Sequence, residues 1–132
     1  MLTNQEIYNK VRAHLLTQMK KSQLPSGMCA YRGEGGTSCA VGCLIEDEHY
    51  SASIENAPIY CVSERHNENL NALTRALVNS IGGYPSDSCI KLLGDLQQCH
   101  DRDDPENWEE HLGSSRRKTD WKYNAKQTAD IQ

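Results

Sequence analysis

The sequence predicts a small α+β domain, mostly helical, in which one β-hairpin packs on three main helices and a short fourth. Apolar residues recur every three or four positions in three long stretches, which is the period of a helix with one buried face. Two short runs, Cys29 to Arg32 and Thr37 to Ala40, flank Gly33-Glu34-Gly35-Gly36, and glycines at such a tip supply the positive φ that a hairpin turn needs. The chain has 132 residues, enough for a single domain with a modest core. That domain is expected over residues 1–113, with a polar tail or arm over 114–132.

The first helix opens with a capping box, Thr3 followed by Glu6, and carries Ile7, Val11, Leu15 and Met19 at intervals of four. Pro25, Ser26 and Gly27 follow, so it should end near Ser22. After the hairpin, Ala40 to Ile45 suits a short helix that puts Cys39 and Cys43 on one face, or an extended segment. Glu46 to Ser63 follows no long period and reads as a loop, with a short strand suggested at Ile59-Tyr60-Cys61-Val62. A second helix spans roughly His66 to Ile81, carries Leu70, Leu73, Leu77 and Ile81, and is stopped by Gly82-Gly83. The third opens on Ser86 as N-cap and lines up Cys89, Leu92, Leu93, Leu96, Cys99 and His100. Asp104-Pro105 then starts a short helix holding Trp108 and Leu112, which Gly113 should end. Trp108 is expected in the core.

Composition narrows the classes of function. The formal net charge is −4, so nothing in the whole chain favours a nucleic acid or an anionic membrane as partner. Arg116, Arg117 and Lys118 with Trp121, Lys122 and Tyr123 interleave cations and aromatics, but Glu109, Glu110 and Asp120 flank them and a solvated tail is the simpler reading. No run approaches the roughly 18 apolar residues of a membrane span, and the polar start lacks the apolar stretch of a signal peptide. A cytoplasmic location is therefore expected, where the six cysteines would be thiols or metal ligands rather than disulfides. Cys43, Cys89 and Cys99 lie on apolar faces and should be structural. No cofactor is expected, and a homo-oligomer stays open.

Half of the cysteines fall in Cys29 to Glu48, CAYRGEGGTSCAVGCLIEDE, so this segment carries most of the candidate chemistry. Cys29, Cys39 and Cys43 with His49 or Cys61 could ligate zinc, although the spacings lack the paired knuckles of structural zinc sites. Cys39 at a helix start, with His100 as base and Asp101 nearby, could form a nucleophilic pair, and Cys29 could take the place of Cys39. Neighbouring helical side chains diverge, so His100 and Asp101 are not expected to pair with each other. The structural alternative is that Cys39 and Cys43 are small buried hydrophobes and that His100 bonds a helix end. Arg32 beside Gly35, Gly36 and Thr37 could hold an anion, or the loop could be a plain turn with Arg32 solvated or paired to Glu34. If a binding surface forms, Arg32, Gly35, Gly36, His100 and Asp101 should gather around the hairpin and the end of the third helix.

The runs CAYRG, CAVGCLI with the acidic Asp47-Glu48 behind it, and LLGDLQQCHD with Trp108 downstream resemble small uncharacterised proteins of tailed bacteriophages and prophages. The likeness covers roughly Gln5 to Leu112. It departs at Glu46, where those proteins have Pro, and in the tail after Gly113. The resemblance implies a phage accessory protein acting in the cytosol of a bacterial host, and it implies no particular reaction. The combined expectation is a non-enzymatic binding module that captures a host factor or a small nucleotide signal, with a counter-defence role. The alternative is a Cys-His hydrolase or transferase.

Overall fold

The computed structural model describes residues 1–55, 57, 59 and 72–118, the last five in backbone only. Its helices are α1 (Asn4–Gln18), α2 (Ala72–Ile81), α3 (Asp87–Arg102) and α4 (Trp108–Lys118). Between α1 and α2 the described chain forms short 3-10 turns at Glu34–Gly36, Gly42–Leu44, Asp47–His49 and Ala52–Ile54. No helix of the described residues is long and apolar enough to cross a membrane.

The helix starts follow their caps. Thr3 Oγ1 accepts the Glu6 N–H at 3.1 Å while the Thr3 N–H donates to Glu6 Oε1 at 2.9 Å, which holds the Glu6 carboxyl below its usual pKa. Ser86 Oγ accepts the Cys89 N–H at the start of α3. Met19 ends α1 by turning left-handed at φ 50°, three residues before the expected stop near Ser22. Asp104 precedes a 3-10 turn at Pro105–Asn107 that leads into α4, and α4 runs through Gly113 to Lys118 instead of stopping there. The expected second helix is seen from Ala72. Its beginning at His66, the strand suggested at Tyr60-Cys61-Val62 and the tail beyond Lys118 lie outside the described residues.

The stripes meet in one core. Ile7, Val11 and Leu15 from α1, Leu73 and Leu77 from α2, Leu92, Leu93 and Leu96 from α3, and Trp108 and Leu112 from α4 are all buried without exposure. Cys39, Ala40 and Val41 join them from the loop. A leucine buried to this degree contributes about 1.5–3 kcal/mol of transfer free energy, so the apolar stripes supply the main drive for packing.

The expected α+β class with a β-hairpin is overturned: the fold is helical, and there is no β-strand among the described residues. Only one rung forms at the hairpin position, an isolated antiparallel bridge between Arg32 and Ser38, with a second isolated bridge from Gln23 to Cys29. Two backbone bonds frame the Arg32–Ser38 rung, from the Gly33 N–H to the Thr37 carbonyl and from the Cys39 N–H to the Tyr31 carbonyl, so the backbone groups of Arg32 and Ser38 face outward and the pairing goes no further. Glu55 takes the N–H groups of Tyr31 and Arg32 at 2.8 and 3.1 Å, and Gln18 brackets Ser38 by accepting its N–H and donating to its carbonyl, both at 3.0 Å. Ala30 turns to Ser22, and beyond Cys39 the chain coils so that the Cys43 N–H reaches the Cys39 carbonyl. Gly35 and Gly36 do adopt positive φ, at 70° and 74°. The tip they make is a 3-10 turn, tied back by the Glu34 N–H to the Gln23 carbonyl.

Candidate functional site

A hollow of about 560 Å³ lies between the loop at Cys29–Tyr31 and the outer side of α3. Glu55, Gln97, Asp101 and Arg102 supply its polar wall, while Ala57 and Ile59 contribute apolar surface. The size is ordinary for a ligand pocket, which typically spans about 300–1,000 Å³.

Asp101 is the organised group in this wall. Its Oδ1 accepts from Gln97 Nε2 at 2.9 Å and faces His100 Nδ1 at 2.8 Å. Gln97 and Asp101 are four residues apart on α3 and so share a face. The expected divergence of His100 and Asp101 is corrected here, because the His100 ring turns its Nδ1 edge back toward the neighbouring carboxylate. The other edge fixes the tautomer. Ser22 N–H, which can only donate, points at His100 Nε2 from 2.8 Å, so Nε2 carries the lone pair and Nδ1 carries the proton given to Asp101. The ring itself is fully buried and stacks on Trp108 at 5.5 Å between centroids.

His100 therefore has no free nitrogen for Cys39. Cys39 is buried and accepts the Gly42 N–H on its sulfur at 3.2 Å, and burial drives its thiol pKa strongly upward. Burial likewise pushes Cys43, Cys89 and Cys99 up to about 12, 11 and 12. Cys29 stands in the hollow, half-buried, with its sulfur near Asp101 and His100. Its pKa is raised as well, first by burial and then by the Asp101 charge, which is the wrong direction for a nucleophile. All five described cysteines are free thiols.

The other predicted residues are distributed. Arg32 and Gly36 line a second, more open hollow with His14 and Ser38, and Gly35 lines a third with Lys20 and Lys21. Arg32 is not paired to Glu34 but clamps the loop. Nη1 reaches Asp47 Oδ1 and Nη2 the Ile45 carbonyl, each at 2.7 Å, with the guanidinium 4.8 Å over the Tyr50 ring. Those donors are committed within the chain, so an anion at Arg32 would have to compete with Asp47. Cys29, Cys39, Cys43 and His49 are not assembled as a ligand set among the described residues: Cys43 Sγ donates to the Ala40 carbonyl and His49 stands by Glu48.

Sequence reading missed Glu55, Gln97 and Arg102. For Gln97 a signal exists, since its spacing of four from Asp101 marks a shared helical face. For Glu55 the sequence carries no periodic signal: the Tyr50 hydroxyl, five positions back, donates to it at 2.6 Å, and its other partners are backbone amides 23 and 24 positions away. Comparison with protein-family models, curated proteins and solved structures gives no match for this chain.

Proposed function

We propose that this chain acts by binding rather than by catalysis, and that it captures a host protein by seating one of its basic side chains in the hollow beside α3. The observation that carries this reading is the Asp101 carboxylate, held in place by Gln97 and His100 at the wall of a 560 Å³ hollow. A fixed acceptor pays little ordering cost when a cation arrives. Glu55 adds a second carboxylate that is already held by the Tyr31 and Arg32 N–H groups and the Tyr50 hydroxyl, and Arg102 in the wall and Lys21 on the Asp101 carbonyl bring two cations, so the reading rests on the fixed Asp101 acceptor and not on net charge. The thiol environments support the same choice, since burial raises every described cysteine away from the thiolate form.

The biological setting is part of the proposal. The likeness of CAYRG, CAVGCLI and LQQCHD to phage proteins supports an accessory role inside a bacterial host, with host defence as the natural process to intercept.

The test is an array of short host-derived peptides probed with the wild-type chain and with Asp101→Asn. Asparagine keeps an oxygen for Gln97 and His100 and removes the charge. Peptides with exposed Lys or Arg should bind wild type, and the variant should lose about 1.5–3 kcal/mol, at least tenfold in affinity. Equal binding by both proteins, or no preference over alanine-substituted peptides, would sink the basic-guest reading. If a nucleotide panel instead raises the melting temperature and Arg102→Ala abolishes that rise, the guest is a small nucleotide in the same hollow.

A further inference from the structure

Three groups of side chains among the described residues bring potential metal ligands within 4.8 Å of one another. Glu46, Glu48 and His49 form a largely exposed acidic turn and carry nothing further. Cys29, His100 and Asp101 look better but fail on hydrogen bonding. A metal on His100 Nδ1 would displace that proton to Nε2, where the Ser22 N–H already points inward at 2.8 Å, and two donors would then face each other inside the core.

The third group has no such conflict. Cys99 lies in the last turn of α3, Asp103 is the residue that caps it, and His111 stands on α4. His111 Nδ1 already faces Asp103 Oδ2, and among the described residues no donor opposes its Nε2. The Cys99 sulfur makes only a long contact of 3.8 Å to the Trp108 carbonyl, so it has little to give up.

We propose that Cys99, Asp103 and His111 bind one Zn²⁺, with water as the fourth ligand. Thiolate sulfur, imidazole nitrogen and carboxylate oxygen are the donors that zinc takes, and three protein ligands with one open position is a familiar zinc arrangement. The position favours a cation, since the carbonyl end of α3 carries the negative pole of its dipole. Access comes from the carboxylate and imidazole side, where the side chains of Asp103 and His111 are 30% and 23% exposed while Cys99 is buried. On binding, a zinc–sulfur bond replaces the Cys99 S–H bond and its proton leaves to solvent, while the His111 proton moves from Nδ1 to Nε2. The ion would then tie α3 to α4.

The experiment uses the full chain without an affinity tag, stripped with chelator, kept reduced and titrated with Zn²⁺ alone. One zinc per chain is expected by elemental analysis, together with a higher melting temperature. Co²⁺ in place of zinc should give a thiolate-to-cobalt charge-transfer band. Cys99→Ser and His111→Gln should each weaken binding at least about tenfold. Cys29→Ser and His49→Gln should leave it unchanged. Because Cys99 is a core residue whose replacement could impair folding, the half-buried His111 provides the decisive variant. Failure to bind zinc stoichiometrically, zinc binding unchanged in folded His111→Gln, or loss of zinc in Cys29→Ser would each overturn the assignment.

Discussion

Replacing His100 with Phe isolates the role of one buried nitrogen. The His100 ring is fully buried, and its Nε2 is the acceptor for the N–H of Ser22, a residue that is itself fully buried. Phenylalanine keeps the ring and its packing on Trp108 but has no lone pair to offer. A buried N–H left without an acceptor costs about 1–3 kcal/mol. The lost contact to Asp101 adds less, because that carboxylate is 38% exposed and retains Gln97. For a domain of this size each kcal/mol corresponds to about 4 °C, so the melting temperature should fall by about 4–12 °C. The assay is thermal and urea unfolding followed by circular dichroism, with an unchanged urea m-value showing that the folded state is still compact. Asp101→Asn should move the midpoint far less. A His100→Phe protein melting within about 1 °C of wild type would refute the reasoning, since the Ser22 N–H would then not depend on the imidazole.

Two further perturbations test other parts of the fold. A Cβ at Gly42 would collide with the Tyr31 carbonyl oxygen and carbon, so Gly42→Ala should destabilise by about 1–3 kcal/mol or more, read as a lower urea midpoint; an unchanged midpoint would show that the two loop segments do not touch there. The thiols of Cys39, Cys43 and Cys89 have folded pKa values raised above 9.0, so their contribution is complete below pH 9 and falls as pH climbs toward 11–12, because the unfolded chain ionises first. Each thiol should cost roughly 1.4 kcal/mol per pH unit above 9, so melting temperature should fall between pH 8 and 10, and less steeply in Cys43→Ala. A melting temperature flat across that range would contradict the buried, protonated thiols.

The helices were legible because their signals are local. Thr3 and Glu6 cap α1 at a distance of three residues, Ser86 caps α3, and the periodic leucines announce the buried faces that meet in the core. The run past Gly113 shows the limit of the same logic, since glycine is a weak stop when the flanking turns continue to bond. Of the site, Asp101 and His100 were legible as polar residues at the end of an apolar face. Their mutual bond was not, since it depends on a ring rotation that Ser22 enforces from 78 positions away.

The missing hairpin and the unpredicted site residues have the same physical origin. The pattern of Cys29 to Ala40 supplies two short arms and a glycine tip, which is sufficient for pairing only if nothing else claims the backbone. Here Glu55 claims the Tyr31 N–H and the Cys43 N–H claims the Cys39 carbonyl, while Glu55, Gln18 and Gln97 hold the outward groups of Arg32 and Ser38 and the Val41 N–H, the last 3.0 Å away. Each satisfies backbone groups that a neighbouring strand would otherwise take, so the chain needs no sheet to bury this loop. The density of glycine follows from this packing as well, since Gly42 lets the CAVGC segment lie directly on the Tyr31 carbonyl of the CAYRG segment. Gln97 then connects fold to site. Its oxygen fixes the loop at Val41 while its nitrogen holds Asp101, so the group that forms the wall of the hollow is positioned by the residue that anchors the loop.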